Sequence, residues 1–162
     1  MSSKARTSPA NLSSWVSTGA KPERWSSIAK ITHPKTTGAF PRERLFRLVD
    51  ELRESPVIWV AAPAGSGKTT LVASYLTERK LNSIWYRVDE GDGDIATFFY
   101  YMGLAAKKAV PRTRNPLPLL TPEYLLGVKA FTLRYFENLY NRLTPPSLIV
   151  FDNHQHCQTA HW

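Results

Sequence analysis

The sequence is built around one stretch, Ala62-Pro63-Ala64-Gly65-Ser66-Gly67-Lys68-Thr69-Thr70, which directly follows the apolar run Val57-Ile58-Trp59-Val60-Ala61. The stretch fits the phosphate-binding pattern G-x-x-x-x-G-K-[ST] at every position but the first, where Ala62 replaces glycine. Gly65 and Gly67 permit positive φ angles, so successive backbone N–H groups can converge on an anion. The apolar run before the loop and the amphipathic pattern after it supply the context that this motif requires. The sequence therefore predicts a strand, a P-loop and a helix in that order.

The remaining apolar patterns predict the other elements. Helical spacing of apolar residues covers 42–54, 70–79, 95–108 and 122–143, and short apolar runs typical of buried strands cover 57–61, 84–88 and 147–151. Asp94 is predicted to cap the third helix, and Thr121-Pro122-Glu123 to begin the fourth. Strands that alternate with helices predict an α/β fold of the P-loop NTPase type, with three αβα layers and a mostly parallel sheet.

Composition and charge limit the classes of protein to consider. The 162 residues are 43% hydrophobic and 21% charged, which is typical of a globular domain. No apolar run approaches the roughly 18 residues of a membrane helix, and a single cysteine, Cys157, fits a reducing compartment, so we expect a cytoplasmic protein without a membrane partner. The net charge of +8 fits either a solvated basic surface or a nucleic-acid partner. Because Lys and Arg never run beyond a pair, we favour the solvated surface.

We expect three segments: a flexible N-terminal segment over 1–29, an incomplete P-loop domain over 30–153 and a disordered tail over 154–162. The tail contains His154, His156, Cys157 and His161, which could also bind a soft or borderline metal. Their spacing matches no common zinc pattern, so disorder is the favoured interpretation.

The P-loop predicts a site for ATP and Mg²⁺. The nucleotide phosphates would contact the loop residues Ala62, Pro63, Ala64, Gly65, Ser66, Gly67, Lys68, Thr69 and Thr70. Lys68 supplies a point charge for the β and γ phosphates, and the Thr69 hydroxyl can ligate Mg²⁺. Asp152 follows the apolar run 147–151, so its carboxylate is expected near the same edge of the sheet as a second Mg²⁺ ligand. Lys68 and Asp152 are the predicted catalytic residues.

Three stretches resemble the ATP-binding domain of MalT-like (LuxR-type) transcriptional regulators, in the STAND class of signalling NTPases. They are Pro41-Arg42-Glu43-Arg44-Leu45 with the helix that leads to the P-loop, Trp85-Tyr86-Arg87-Val88-Asp89-Glu90-Gly91-Asp92-Gly93-Asp94, and Leu148-Ile149-Val150-Phe151-Asp152-Asn153. The resemblance implies that ATP binding switches the protein between a resting monomer and a self-associating form. It also implies that Arg42 and Arg44 flank the adenine or ribose, although a surface-helix role for these arginines fits the sequence equally well.

The chain departs from that family in ways that shape the expected activity. Asn153 stands where many relatives have a second acid, and an amide cannot accept the proton of an attacking water, so we expect slow or absent hydrolysis. No sensor, helical-repeat or DNA-binding module follows before Trp162, so we expect a portion truncated after the strand that carries Asp152, marginally stable by itself.

Two alternatives to the switch remain open at this point. The first is a small P-loop phosphotransferase, whose lid would be the loop over 111–122 with Arg112 and Arg114. The second is a non-functional fragment of a regulator.

The acidic turn over 89–94 is too short for a calcium loop and lacks the terminal bidentate glutamate, so helix capping and solvation are its expected role.

Overall fold

A computed structural model describes residues 28–111 and 115–154. In chain order its helices and strands are α1 (Glu43–Glu51), α2 (Lys68–Glu78), β1 (Asn82–Arg87), α3 (Ile95–Ala109), α4 (Val128–Tyr140) and β2 (Ser147–Asp152). Short 3-10 helices over Ala29–Ile31, Glu90–Gly93 and Pro122–Gly127 precede α1, α3 and α4. Most of the predicted flexible segment and most of the predicted tail lie outside the described residues.

The two strands pair in parallel. Ile84 of β1 lies opposite Ile149 of β2, and Arg87 lies opposite Asp152 at the carboxyl end of the pair. Parallel strands require a long crossover connection, which here contains α3 and α4. The predicted α/β class is therefore confirmed, with a two-stranded parallel sheet within residues 28–111 and 115–154. The larger sheet of a three-layer P-loop domain stays a prediction.

Strand β1 separates two apolar clusters because successive side chains of a strand point to opposite faces. Ile84 and Tyr86 belong to a cluster with α3 and α4, in which Tyr135 is fully buried. Trp85, between them in sequence, belongs to a second cluster with α1 and α2, in which Phe46 is fully buried. Helices thus cover both faces of the two-stranded sheet.

The predicted strand over 57–61 is wrong, since no hydrogen-bonded ladder joins this segment to either strand of the described sheet. Val60 and Val150 of β2 both pack against the second cluster, so side-chain contacts join the segment to this part of the core. Val57 and Trp59 are 74% and 66% exposed. An apolar run indicates a tendency to be buried, but a strand also needs a backbone partner in register, which composition alone does not reveal.

The first three predicted helices are confirmed with shifted ends. Asp94 caps α3 as expected, because its carboxylate accepts hydrogen bonds from the backbone N–H groups of Ala96 and Thr97 at 3.3 and 3.0 Å. The apolar spacing over 42–54 predicts that Leu45, Leu48, Val49 and Leu52 form the buried face of α1, and this is correct only for Leu45 and Val49, which pack against the second cluster. Phe46 is the fully buried residue of α1, whereas Leu48 and Leu52 are exposed.

The fourth predicted helix is divided in two. Its first part, Pro122–Gly127, is a 3-10 helix, and α4 begins only at Val128. Gly127 has φ −134° and ψ 35°, outside the helical region, which fits the low helix propensity of glycine. None of the helices in the described part of the chain has the length and apolarity needed to cross a membrane.

Candidate functional site

The predicted P-loop forms a turn that ends at the first residue of α2. The backbone N–H of Ser66 donates to the carbonyl of Pro63 at 3.3 Å. Gly65 and Gly67 have φ angles of +75° and +83°, in the left-handed region that favours glycine. Gly67 is also the N-cap of α2, and it has no side chain to occupy the helix terminus. The N-cap therefore carries no side chain that could block the N-terminus of α2, and the partial positive charge of that terminus favours an anion.

The side chain of Lys68 folds back over the loop. Its ammonium donates to the carbonyl oxygens of Ala62 and Pro63 at 2.7 and 3.0 Å. Both contacts are with main-chain oxygens at the exposed surface, and neither is an ion pair. The ammonium can therefore exchange these carbonyls for a more strongly interacting anionic oxygen without leaving a charged partner unpaired.

Thr69 and Asp152 meet although they are far apart in sequence. Thr69 Oγ1 donates to Asp152 Oδ1 at 2.7 Å, which joins the first turn of α2 to the last residue of β2. Asp152 lies at the carboxyl edge of the sheet, as the sequence predicted, because it ends a parallel strand. A hydroxyl and a carboxylate are both hard oxygen ligands, the type that Mg²⁺ prefers.

Arg42 lies across the same loop. Its Nη1 donates to the carbonyl of Ser66 at 3.2 Å. A Cβ added to Gly67 would come within 2.9 Å of Arg42 Nη2, so a side chain there would displace the guanidinium from this position. Arg42 is therefore placed against the loop, although it is exposed, as is Arg44. Beneath this contact the hydroxyl of Ser66 is buried without a hydrogen-bond partner among the described residues.

A cluster of charged groups holds α1 against α2. Arg79 donates to Asp50 and to Glu43 at 2.9 Å each, and the Tyr75 hydroxyl donates to Asp50 at 2.7 Å. The hydrogen bonds from Arg79 and Tyr75 lower the pKa of Asp50. Burial, with a smaller contribution from Asp50, raises the pKa of Tyr75 to about 12. Since Arg42 is the residue before α1, this cluster also positions its guanidinium over the loop.

Asn153 has a structural role at the end of β2. It adopts φ +65°, a conformation that asparagine tolerates better than most residues. Its Nδ2 donates to the carbonyl of Val88 at 3.4 Å, beside the backbone hydrogen bond from Val88 N–H to the carbonyl of Asp152 at 2.8 Å. The amide therefore ties the ends of the two strands together.

The acidic turn is more than the solvated cap that the sequence predicted. Asp92 is only 2% exposed, and its carboxylate lies 2.7 Å from the ammonium of Lys30 and accepts from the Tyr86 hydroxyl. Asp89 accepts from Gly91 N–H and pairs with Lys30 at 2.6 Å. The capping box between Asp89 and Asp92 has a visible sequence signal, an acid followed by another three positions later. The pairing with Lys30 has none, because that residue is distant in sequence.

The remaining candidate groups are only partly described. His156, Cys157 and His161 lie outside the described residues, and the ring of His154 packs against Trp59 with centroids 4.1 Å apart. Within 28–111 and 115–154 no group of three or more His, Cys, Asp or Glu side chains could hold a metal ion. Arg112 and Arg114 of the predicted lid also lie outside the described residues. Leu117, from the described part of that loop, packs in the cluster formed with α3 and α4.

Comparison with known proteins identifies similar sequences in HTH-type transcriptional regulators named MalT. The chain is 29% identical over 130 residues to the HTH-type transcriptional regulator MalT of Vibrio cholerae, a match that covers 80% of this chain and 13% of that protein. It is 34% identical over 82 residues to the MalT proteins of Vibrio campbellii and Vibrio parahaemolyticus, covering 50% of this chain and 9% of each relative. The chain thus spans about a tenth of the length of these regulators.

No protein-family model matches the sequence, and no solved structure matches it. The similarity that the comparisons do show is to MalT transcriptional regulators, over part of the chain.

Proposed function

We propose that this chain binds ATP together with Mg²⁺ and is the nucleotide-binding portion of a regulator related to MalT. The observation that carries the proposal is the hydrogen bond from Thr69 Oγ1 to Asp152 Oδ1 at 2.7 Å. This bond places the carboxylate of Asp152 beside the hydroxyl of Thr69, and Thr69 directly follows Lys68, the first residue of α2. A P-loop NTPase needs the same combination of a lysine, a hydroxyl and a carboxylate around its phosphates and metal.

The donor set fits both parts of the proposed ligand. Thr69 and Asp152 would hold Mg²⁺, which neutralises phosphate charge when bound. Lys68 and the backbone N–H groups of 65–69 would hold the β and γ phosphates, and Thr70 would contact the α phosphate. The positive φ angles of Gly65 and Gly67 support this assignment, because they turn the backbone sharply without adding side-chain bulk.

Hydrolysis in this site is proposed to be slow or absent. The residue after Asp152 is an asparagine, whose amide has no basic oxygen able to take a proton from water. Its Nδ2 is also directed to the carbonyl of Val88. A site that holds ATP without consuming it rapidly suits a switch better than a metabolic enzyme.

The regulatory part of the proposal rests on the similarity to MalT. Those relatives are named as HTH-type transcriptional regulators, and we extend to this chain a part in such a protein, in which bound ATP favours self-association. We place this activity in the cytoplasm, where ATP and a transcriptional target are both present.

Calorimetric titration of the whole 162-residue chain with ATP and Mg²⁺ tests the nucleotide site directly. We expect Lys68→Ala to weaken binding at least about tenfold, since it removes a charge-assisted contact to phosphate. Lys129→Ala removes an exposed lysine of α4 and serves as the matched control, with unchanged affinity expected. Equal binding by Lys68→Ala and the unmodified protein would remove the proposal.

Time-resolved phosphate release separates the switch from a phosphotransferase. The proposed function predicts slow or absent release of phosphate, with no acceleration when hydroxyl-bearing metabolites are added as acceptors. Turnover that depends on an added acceptor would instead identify a phosphotransferase and contradict the proposed switch.

A further inference from the structure

A cavity of about 420 Å³ lies on the face of the molecule formed by α3, α4 and the loop over 115–119. None of the described residues that line it belongs to the P-loop, and Asp152 does not line it either. Its volume falls within the range of about 300–1,000 Å³ that is usual for small-molecule sites. We propose that this cavity binds a small amphipathic anion, with an acidic head group on an aromatic or branched apolar body.

The inner wall supplies the apolar surface. Tyr100 of α3 and Leu119 of the loop line the cavity and are 48% and 66% exposed, so their apolar surface is accessible to a ligand. Tyr135 also lines it, but its hydroxyl donates to the carbonyl of Phe99 at 3.2 Å, so that polar atom is already engaged. The floor of the cavity therefore offers apolar and aromatic contacts to a ligand.

Two cations of the described part of the chain line the same cavity. Lys107 is exposed on the last turn of α3, and Arg142 follows α4. Arg142 Nη2 donates to the carbonyl of Pro116 at 2.9 Å, which fixes the loop wall to the helix. A guanidinium carries five N–H donors, so Arg142 can hold Pro116 and still contact an anion.

Among the residues that the structure describes, the charged side chains lining this cavity are of one sign. No acidic side chain is among the described residues that line it, and Lys107 forms no ion pair within the described part of the chain. Lys108, its neighbour in sequence, is turned away and donates to Thr32 Oγ1 at 3.0 Å. As far as the described lining extends, an apolar floor with two cations and no carboxylate is complementary to an amphipathic anion and disfavours a cation.

Gly103 provides a way to close the cavity without disturbing its walls. It lines the cavity from α3, and a Cβ added there would meet the Tyr135 hydroxyl at an ordinary contact distance of 3.5 Å. In Gly103→Leu the branched side chain would extend from that Cβ into the cavity. Leucine also has a higher helix propensity than glycine, so the variant is expected to fold.

The test uses two fluorescent probes with similar apolar bodies, the anion anilinonaphthalene sulfonate and the uncharged phenylnaphthylamine. We expect the sulfonate to bind the unmodified chain more tightly than the uncharged probe. Lys107→Met should weaken sulfonate binding about three- to fivefold, the size expected for a partly solvated ion pair, while Lys129→Met should leave it unchanged. Gly103→Leu should abolish binding of both probes to this site, with a melting temperature no lower than that of the unmodified chain.

Two results would overturn the proposal. One is equal affinity for the two probes, with no effect of Lys107→Met, which would show that the cavity does not select an anion. The other is undiminished sulfonate binding by a folded Gly103→Leu variant, which would show that the probe binds elsewhere. Neither result bears on the P-loop, so this test is independent of the proposed nucleotide site.

Discussion

Thr69 Oγ1 and Asp152 Oδ1 are joined by a hydrogen bond of 2.7 Å between residues that lie 83 positions apart. The contact connects the N-terminal turn of α2 with the carboxyl end of β2. The contact places a hydroxyl beside a carboxylate, the two side-chain ligands of the proposed Mg²⁺ site.

Asp152→Asn tests whether this contact prepares a metal site. Asparagine can still accept the hydrogen bond from Thr69, but it is a weaker ligand for Mg²⁺ because it lacks the negative charge. We expect ATP affinity in Mg²⁺ to fall about tenfold, a loss of ~1.4 kcal/mol, with little change when the metal is chelated. Asp94→Asn, at the cap of α3, is the control in the same titration. A loss that persists undiminished without metal would argue against a role for Asp152 in Mg²⁺ binding.

The pair of Lys30 and Asp92 is predicted to stabilise the fold strongly. Their side chains are 10% and 2% exposed, so replacing one partner leaves a largely buried charge. We expect Lys30→Met to lower the free energy of unfolding by about 3–5 kcal/mol, measured in urea. The double variant Lys30→Met with Asp92→Asn should recover part of that loss, because the charge that remains unpaired, Asp89, is largely exposed. Asp89→Asn, at an exposed position, should cost less than about 1 kcal/mol.

The contact between α1 and α2 is predicted to weaken in acid. The pKa of Asp50 lies below its ordinary value of 3.8, chiefly because of the hydrogen bond from Arg79. A lowered pKa in the folded state means that the stabilisation is present above about pH 4 and is lost as pH falls through the folded-state pKa. Unfolding in urea at about pH 6 and pH 3 should therefore show a larger loss of stability for the unmodified protein than for Asp50→Asn. Glu51→Gln, at the next position of α1, is the control and should lose as much stability between these pH values as the unmodified protein. The prediction is wrong if Asp50→Asn and Glu51→Gln lose stability to the same extent.

Gly103→Ala is predicted to stabilise the protein. The glycine lies inside α3, and a Cβ placed there makes only an ordinary contact with the Tyr135 hydroxyl at 3.5 Å. Alanine has a higher helix propensity and loses less backbone entropy on folding, so we expect a gain of about 0.5–1 kcal/mol in thermal or urea unfolding. Destabilisation by this variant would mean that α3 and α4 pack more closely at this position than the distance indicates.

Local patterns in the sequence predicted the parts of the protein that depend on near neighbours. The glycines at 65 and 67 predicted positive φ angles, Asp94 predicted the start of α3, and the apolar run at 147–151 predicted β2. The position of Asp152 at the carboxyl edge of the sheet also followed, because the end of a parallel strand determines it. All of these depend on backbone conformations or periodicities that extend over a few residues.

Other features were decided only by tertiary packing. The segment over 57–61 lacks a ladder although its composition is typical of a strand, because hydrogen bonding requires a partner in register and side-chain contact does not. Asp92 is buried because Lys30 reaches it from a distant segment, and Phe46 replaces Leu48 on the buried face of α1 because α2 contacts that side. Arg42 reaches the loop because Asp50 and Arg79 hold its helix there. Each depends on which surfaces meet in space, whereas the glycine turn at 65–67 and the cap of α3 are determined by the local sequence.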